Sequence, residues 1–373
     1  MQMVDLKNQY LRIKDEIDNA IKEVTDSCKF INGPQVREFA EDLAAYTGAK
    51  YVIPVANGTD ALQISLMALG LKPGDEVIVP SFTYIASAEV IALLNLVPVM
   101  VDVNYDSFNT TAENFERAIT RKTKAFIPVH LFGQSCDMGK IMELAREYKI
   151  PVIEDNAQSL GAECLTDSGR KHTGTIGTMG CTSFFPSKNL GCMGDGGAIM
   201  TNDYTLAERV RIIASHGQTV KYYHDIVGCN SRLDTLQAAI LKVKLKYLDQ
   251  YAQARQKAAA IYDKGLAGVK GITLPKRMPF STHVFNQYTL KVHDGKRNGL
   301  KDFLNRNGIP SMIYYPRPLQ RQQAFRGIVR TGEMLDVSEQ LCQEVLSLPM
   351  HTELDESTQN FIIEKVREYA EQQ

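Results

Sequence analysis

Between residues 51 and 155 short apolar runs alternate with stretches in which apolar residues recur every third or fourth position. The runs at 52–55, 77–80, 97–101, 125–129 and 151–154 have strand length, and the stretches at 59–69, 86–94, 112–119 and 137–148 have helical spacing. Strands that take turns with helices in this way predict an α/β fold with a large, mostly parallel sheet. Beyond Arg232 the pattern changes to a long helical stretch over 233–262, loosened afterwards by Gly265, Gly268 and Gly271. A domain boundary is expected near Leu248, giving a large domain at 1–248 and a smaller C-terminal α/β domain at 249–373. The latter offers a strand at 287–292, a helix at 298–305 and a final helix at 357–371. No internal repeat is evident.

Open parallel sheets collect ligand groups at strand carboxyl ends, so polar residues there carry the candidate chemistry. Ile150-Pro151-Val152-Ile153-Glu154-Asp155-Asn156-Ala157-Gln158 is an apolar run ending in acidic and amide groups. Asp155 there suits a carboxylate on a pyridine nitrogen or a plain helix cap. At Val55-Ala56-Asn57-Gly58-Thr59-Asp60 a strand turns through glycine into a helix, whose free amides suit a phosphate or an ordinary cap. Lys188 stands in Ser183-Phe184-Phe185-Pro186-Ser187-Lys188-Asn189-Leu190-Gly191, followed by Gly194-Asp195-Gly196-Gly197. A lysine attacks an aldehyde only while unprotonated, so small and aromatic surroundings that depress its pKa suit a Schiff-base lysine. Alone, each segment also fits a bland role; the three together point to pyridoxal-phosphate chemistry.

With these three elements in this order, the chain resembles the DegT family of sugar aminotransferases, pyridoxal 5'-phosphate enzymes of fold type I. The resemblance runs from Asp5-Leu6-Lys7-Asn8-Gln9-Tyr10 through Pro80-Ser81-Phe82-Thr83-Tyr84, Phe132-Gly133-Gln134 and Gly228-Cys229-Asn230-Ser231-Arg232-Leu233-Asp234 to Tyr315-Pro316-Arg317-Pro318-Leu319. It implies Lys188 as the Schiff-base residue and proton carrier, Asp155 on the pyridine nitrogen and Gln158 beside the ring hydroxyl. Gly58, Thr59 and Ser183 would hold the phosphate and Tyr84 would cover the ring. Asn230 would reach the cofactor of the neighbouring subunit, with Arg232 at the same shared site, so a homodimer is implied. The implied reaction takes an amino group from L-glutamate to a keto-sugar nucleotide. The acceptor most resembled is UDP-2-acetamido-2-deoxy-3-oxo-glucuronate, used for bacterial surface polysaccharide, and a dTDP-3-oxo-6-deoxyhexose is the alternative. Arg232, Tyr314, Tyr315 and Arg317 are the expected substrate contacts. Ile313-Tyr314-Tyr315-Pro316-Arg317-Pro318 departs from the uronate enzymes, which place histidine before the second tyrosine and an apolar residue between the prolines. Arg317 suits either a forked contact to a carboxylate or pyrophosphate or a solvent-facing charge. Lysine at 188 argues against the dehydrating relatives, which carry histidine there.

Composition narrows this picture without redirecting it. The 373 residues carry a formal net charge of -1 and no basic block, so neither nucleic acid nor an acidic membrane is an expected partner. A non-catalytic regulator would need a DNA-reading segment that the sequence lacks, and Gly194-Asp195-Gly196-Gly197 does not have the GxGxxG spacing of a dinucleotide-binding oxidoreductase. The charged amino-terminal stretch contains neither a signal core nor a membrane span, so a cytoplasmic enzyme is expected. Seven cysteines form no CxxC pair, reduced thiols are the default, and no metal site is expected. Cys181 and Cys192 flank the lysine motif, where inert packing is favoured over reactivity, and His130, His216, His283 and His351 receive no role.

Overall fold

The computed structural model describes residues 1–372. Three helices, α1 (Leu6–Arg12), α2 (Lys14–Ser27) and α3 (Pro34–Thr47), precede the alternating region. That region runs β1 (Tyr51–Val55), α4 (Gly58–Leu69), β2 (Glu76–Pro80), α5 (Ala86–Leu93), β3 (Val97–Val101), α6 (Ala112–Ala118), β4 (Thr123–Phe126), α7 (Met138–Tyr148) and β5 (Ile153–Asp155). A hairpin of β6 (Glu163–Thr166) and β7 (Gly169–His172) leads to β8 (Met179–Ser183), β9 (Gly197–Thr201) and α8 (Tyr204–Ala214). A second hairpin, β10 (Gln218–Val220) and β11 (Tyr223–His224), is followed by α9 (Thr235–Leu245) and α10 (Leu248–Leu266). The remainder comprises β12 (Ile272–Thr273), β13 (Tyr288–Val292), α11 (Arg297–Arg306), β14 (Arg330–Thr331), α12 (Asp336–Glu344), β15 (Val345–Leu348) and α13 (Glu356–Glu371).

The large sheet has two halves, β1-β9-β8-β5 and β4-β2-β3-β14, joined by parallel bridges from Phe126 to Val152 and from Val129 to Asp155. Only β9 opposes its neighbours; the other ladders are parallel. Both faces are covered, as the near-continuous apolar strands require. Successive side chains of β2 show it: Val77 and Val79 enter the core shared with Leu62, Ile64 and Leu66 of α4, whereas Ile78 enters the opposite layer with Phe115 and Phe126. The rings of Phe115 and Phe126 stack at 4.8 Å in that layer.

A separate apolar cluster gathers Tyr262 of α10, Tyr288 and Leu290 of β13, Leu346 and Leu348 of β15, and Ile362 and Val366 of α13. We propose that the boundary stays near Leu248, with α10 spanning the junction. Leu248 itself packs with Phe39 and Leu241 of the amino-terminal unit, while Ala258 and Ala259 belong to the C-terminal cluster.

Two expectations need correction. The single helical stretch over 233–262 is broken between α9 and α10 by a turn at 246–247, where both Lys246 and Tyr247 direct their side chains to Glu16 of α2. The strand expected over 125–129 ends at Phe126; beyond it Val129 keeps only a bridge to Asp155, and a 3₁₀ turn follows at Leu131–Gly133.

The register of β8 depends on a glycine. Gly180 pairs opposite Glu154 of β5, and a Cβ there would run into the backbone of Gly174. Gly180→Ala is therefore expected to cost about 1–3 kcal/mol through overpacking, seen as a lower unfolding midpoint. An unchanged midpoint would show that the 174–177 turn yields freely.

Candidate active site

Parallel pairing of β5 with β8 sets Asp155 opposite Cys181, so Asp155 and Ser183 emerge at the same carboxyl edge. The chain leaving β8 makes a turn in which the Lys188 amide donates to the Phe185 carbonyl at 2.8 Å. Asn189 is tied to the Val284 carbonyl through Nδ2 at 3.3 Å. The buried Lys244 of α9 donates through Nζ to the Gly191 carbonyl at 2.5 Å. Lys188 itself is half-buried. Desolvation lowers its pKa, and the nearby Asp155 charge offsets part of that shift.

α4 begins beside this edge. Asn57 caps it by accepting from the Asp60 amide at 2.8 Å, leaving the amides of Gly58 and Thr59 without a helical acceptor. Gly58 is required here, because a Cβ would lie 2.7 Å from that of Ser183. Gly197 at the start of β9 is required for the same reason, packing against the Asn57 carbonyl group. Gly58 and Gly197 thus let the turn before α4 pack against the end of β8 and the start of β9.

Asp155 is buried, with Oδ2 accepting from the Ser87 hydroxyl at 2.7 Å and Oδ1 from the Ala157 amide at 3.2 Å. Gln158 is buried beside it; its Oε1 accepts from the Phe132 amide at 2.7 Å and its Nε2 donates to the Tyr315 hydroxyl at 3.1 Å. Tyr84 leaves its ring exposed, 6.2 Å from that of Tyr315. Tyr314 and Tyr315 are half-buried, Arg317 is exposed, Arg232 is half-buried and Asn230 is exposed. The 230–232 segment adjoins the turn before α4 in its own chain, since the Ser231 hydroxyl accepts from the Ala56 amide at 3.0 Å.

Ser87 did not emerge from the sequence, although a hydroxyl four residues after Thr83 and three after Tyr84 on an incipient helix was a readable signal. The histidines left without a role have structural surroundings where they are buried. His130 contacts Glu154, and burial pushes His283, stacked on Phe285, down to about 3 and His351 down to about 4. Burial also pushes the Cys192 thiol up to about 11, which disfavours the nucleophilic thiolate. Among the described residues no three His, Cys, Asp or Glu side chains are grouped to hold a metal ion, and no helix is long and apolar enough to cross a membrane.

The model of the DegT/DnrJ/EryC1/StrS aminotransferase family matches residues 11–367. The chain belongs to this family. A Pseudomonas aeruginosa relative of the aminotransferase, named UDP-2-acetamido-2-deoxy-3-oxo-D-glucuronate aminotransferase, is 48% identical over 95% of this chain and 96% of its own. A Geobacillus stearothermophilus relative named pleiotropic regulatory protein is 45% identical over 98% of both chains. The crystal structure of a Brucella abortus aminotransferase of the family superposes with a TM-score of 0.95 at 41% identity, covering 99% of each chain. A Bacillus subtilis structure described with bound cofactor PMP has a TM-score of 0.87 at 34% identity, over 96% of this chain and 82% of its own.

The protein is thus a pyridoxal-phosphate-dependent sugar-nucleotide aminotransferase of fold type I. Its own residues fit that cofactor. Two free amides at a helix start, with the Thr59 and Ser183 hydroxyls, suit a phosphate dianion; a buried carboxylate suits a protonated ring nitrogen; and a desolvated lysine suits the aldehyde. Because the Lys188 pKa is lowered, its neutral fraction at a given pH exceeds that of an ordinary lysine. Cofactor uptake by the cofactor-free aminotransferase is expected to reach half its maximal rate at a pH below 10.5, the ordinary lysine value. A stopped-flow pH series checks this; an inflection at or above that value would contradict the desolvated environment.

Proposed function

We propose that the enzyme moves an amino group from L-glutamate to the 3-keto group of UDP-2-acetamido-2-deoxy-3-oxo-glucuronate, in the cytoplasm, for surface polysaccharide synthesis. The observation that carries this reading is the shared carboxyl edge that brings Asp155 and Ser183 together just before the Lys188 turn, in a chain 48% identical to an enzyme named for that substrate. Gly58, Thr59 and Ser183 would hold the cofactor phosphate, and the group when bound would supply an electron sink for bond breaking at the amino-bearing carbon of the substrate. Asp155 would keep a proton on the ring nitrogen, Gln158 would orient the ring from the hydroxyl side, and Tyr84 would cover one face. Lys188 would carry the proton that leaves the substrate carbon, which is why it must remain partly neutral.

Two features concern the sugar. The uronate carboxylate needs donors, and the half-buried Arg232 and the exposed Arg317, two residues after Tyr315, are the guanidinium candidates. Asn230 is exposed on its own chain, which suits a role at the site of a second copy, so the working unit is a homodimer with shared sites. The second reading, a dTDP-3-oxo-6-deoxyhexose acceptor, is favoured by Tyr314 and Arg317, where the sequence departs from the uronate pattern. A regulatory role alone leaves the desolvated lysine without a purpose.

The test runs the sugar half-reaction backwards while the absorbance of the bound cofactor is followed. UDP-2-acetamido-3-amino-glucuronate is expected to convert it, and selective conversion by a dTDP-3-amino-6-deoxyhexose instead would establish the second reading. Lys188→Ala is expected to abolish turnover with both sugars while the protein stays folded; normal turnover by that variant would sink the assignment. Arg317→Ala is expected to raise KM for the uronate about tenfold, the scale of one lost charge-assisted contact, with kcat little changed. Equal KM values in variant and parent would make Arg317 a solvent-facing charge.

A further inference from the structure

A carboxylate turns easily about its last torsion, which has broad and nearly two-fold wells, so a buried one keeps a single orientation only if donors hold its oxygens. Asp155 has two such donors from different parts of the chain. The Ala157 amide, two residues on, donates to Oδ1 at 3.2 Å, a long contact, whereas the Ser87 hydroxyl donates to Oδ2 at 2.7 Å. Ser87 is fully buried, as is Thr83, whose hydroxyl lies 3.2 Å from that of Ser87. A serine has one proton to give and this one goes to Asp155, so the direction of the second contact follows: Thr83 donates to Ser87. The two hydroxyls form a one-way chain ending on the carboxylate. It starts in the segment after β2 that also carries Tyr84, and Ser87 is anchored in the first turn of α5.

We infer that Ser87, backed by Thr83, is a positioning residue that fixes the rotation of the Asp155 carboxylate against the cofactor ring. The inference rests on the reading of Asp155 as the partner of the pyridine nitrogen. The Oδ2 side of the carboxylate is tied to α5 and the weaker-held Oδ1 side keeps lone-pair capacity for the ring. Because Tyr84 and Ser87 are three residues apart, the element that covers the ring also sets the group beneath its nitrogen. Rigid support of this kind acts on the reaction by reducing the reorganisation that the site must undergo.

The test uses Ser87→Ala and Thr83→Val, the second keeping the side-chain shape while removing the hydroxyl, with Asp155→Asn as reference. Loss of one hydrogen bond to a charged group is expected to weaken pyridoxal-phosphate binding about tenfold in Ser87→Ala, and less in Thr83→Val. The kcat of the reconstituted enzyme is expected to fall by a similar factor while KM for the sugar stays within about twofold. If both variants bind and turn over like the parent while Asp155→Asn is impaired, the inference is overturned. A lower melting midpoint of cofactor-free Ser87→Ala with unchanged cofactor affinity overturns it equally, because the contact is then structural. If Asp155→Asn itself binds the cofactor like the parent, the reading of Asp155 beneath it fails.

Discussion

A carboxylate removed from water must find its donors inside the protein, and Glu154 is the place where this constraint organises the sheet. It is fully buried at the centre of β5. Oε1 accepts from the amides of Ile176 and Gly177 at 2.7 and 2.6 Å, and Oε2 from the Gly174 amide at 2.8 Å and His130 Nε2 at 2.9 Å. The Cys136 amide donates to His130 Nδ1 at 3.1 Å, so the imidazole proton belongs on Nε2, facing the carboxylate. One side chain therefore fastens the turn before β8 and the loop after β4 to the middle strand. The register that results carries Asp155 and Ser183 to the same edge.

The same dependence on internal donors and acceptors recurs where the C-terminal unit meets the site. Arg255, buried on α10, donates through one nitrogen to the carbonyls of Phe285 and Met350 at 3.1 Å and of Asn286 at 3.4 Å. Val284 receives Asn189, the neighbour of Lys188, and donates its own amide to Gly133; Gln287 donates to Phe132, whose amide in turn holds Gln158. The 284–287 segment thus touches both sides of the cofactor site without contributing a side chain to its chemistry. Movement of the C-terminal unit would be felt at Lys188 and Gln158 together.

Much of this was legible in the sequence, and for a physical reason. A strand buried on both faces leaves no choice but a continuous apolar run, so β1, β2, β3 and β5 stood out with their helices. Lys188, Asp155 and the Gly58 turn stood out as candidates because a lysine among small and aromatic residues, an acid ending an apolar run and a glycine between strand and helix each break the local pattern. What stayed hidden depends on contacts distant along the chain. Nothing local marks the break after Leu245, where Lys246 and Tyr247 meet Glu16 of α2, some 230 residues earlier in the chain. Nothing in the Glu154-Asp155 pair says that the first residue looks inward to a histidine and three amides while the second meets Ser87. Arg317 is exposed, so no side-chain contact within the chain says what it does.

The edge strand β14 carries a consequence for how the molecule is made. Arg330 and Thr331 pair with Val99 and Met100, and Leu319, Phe325 and Leu335 fill the main core, although all five follow the C-terminal unit's β13 and α11 in the chain. During synthesis β3 has no outer neighbour until residues 330–331 have left the ribosome. For that interval the nascent chain presents an unpaired parallel edge, the kind of template that invites association with other chains. Maturation of that edge therefore waits for a segment far along the chain, and until it arrives the edge is open to whatever chaperone or sister chain reaches it first.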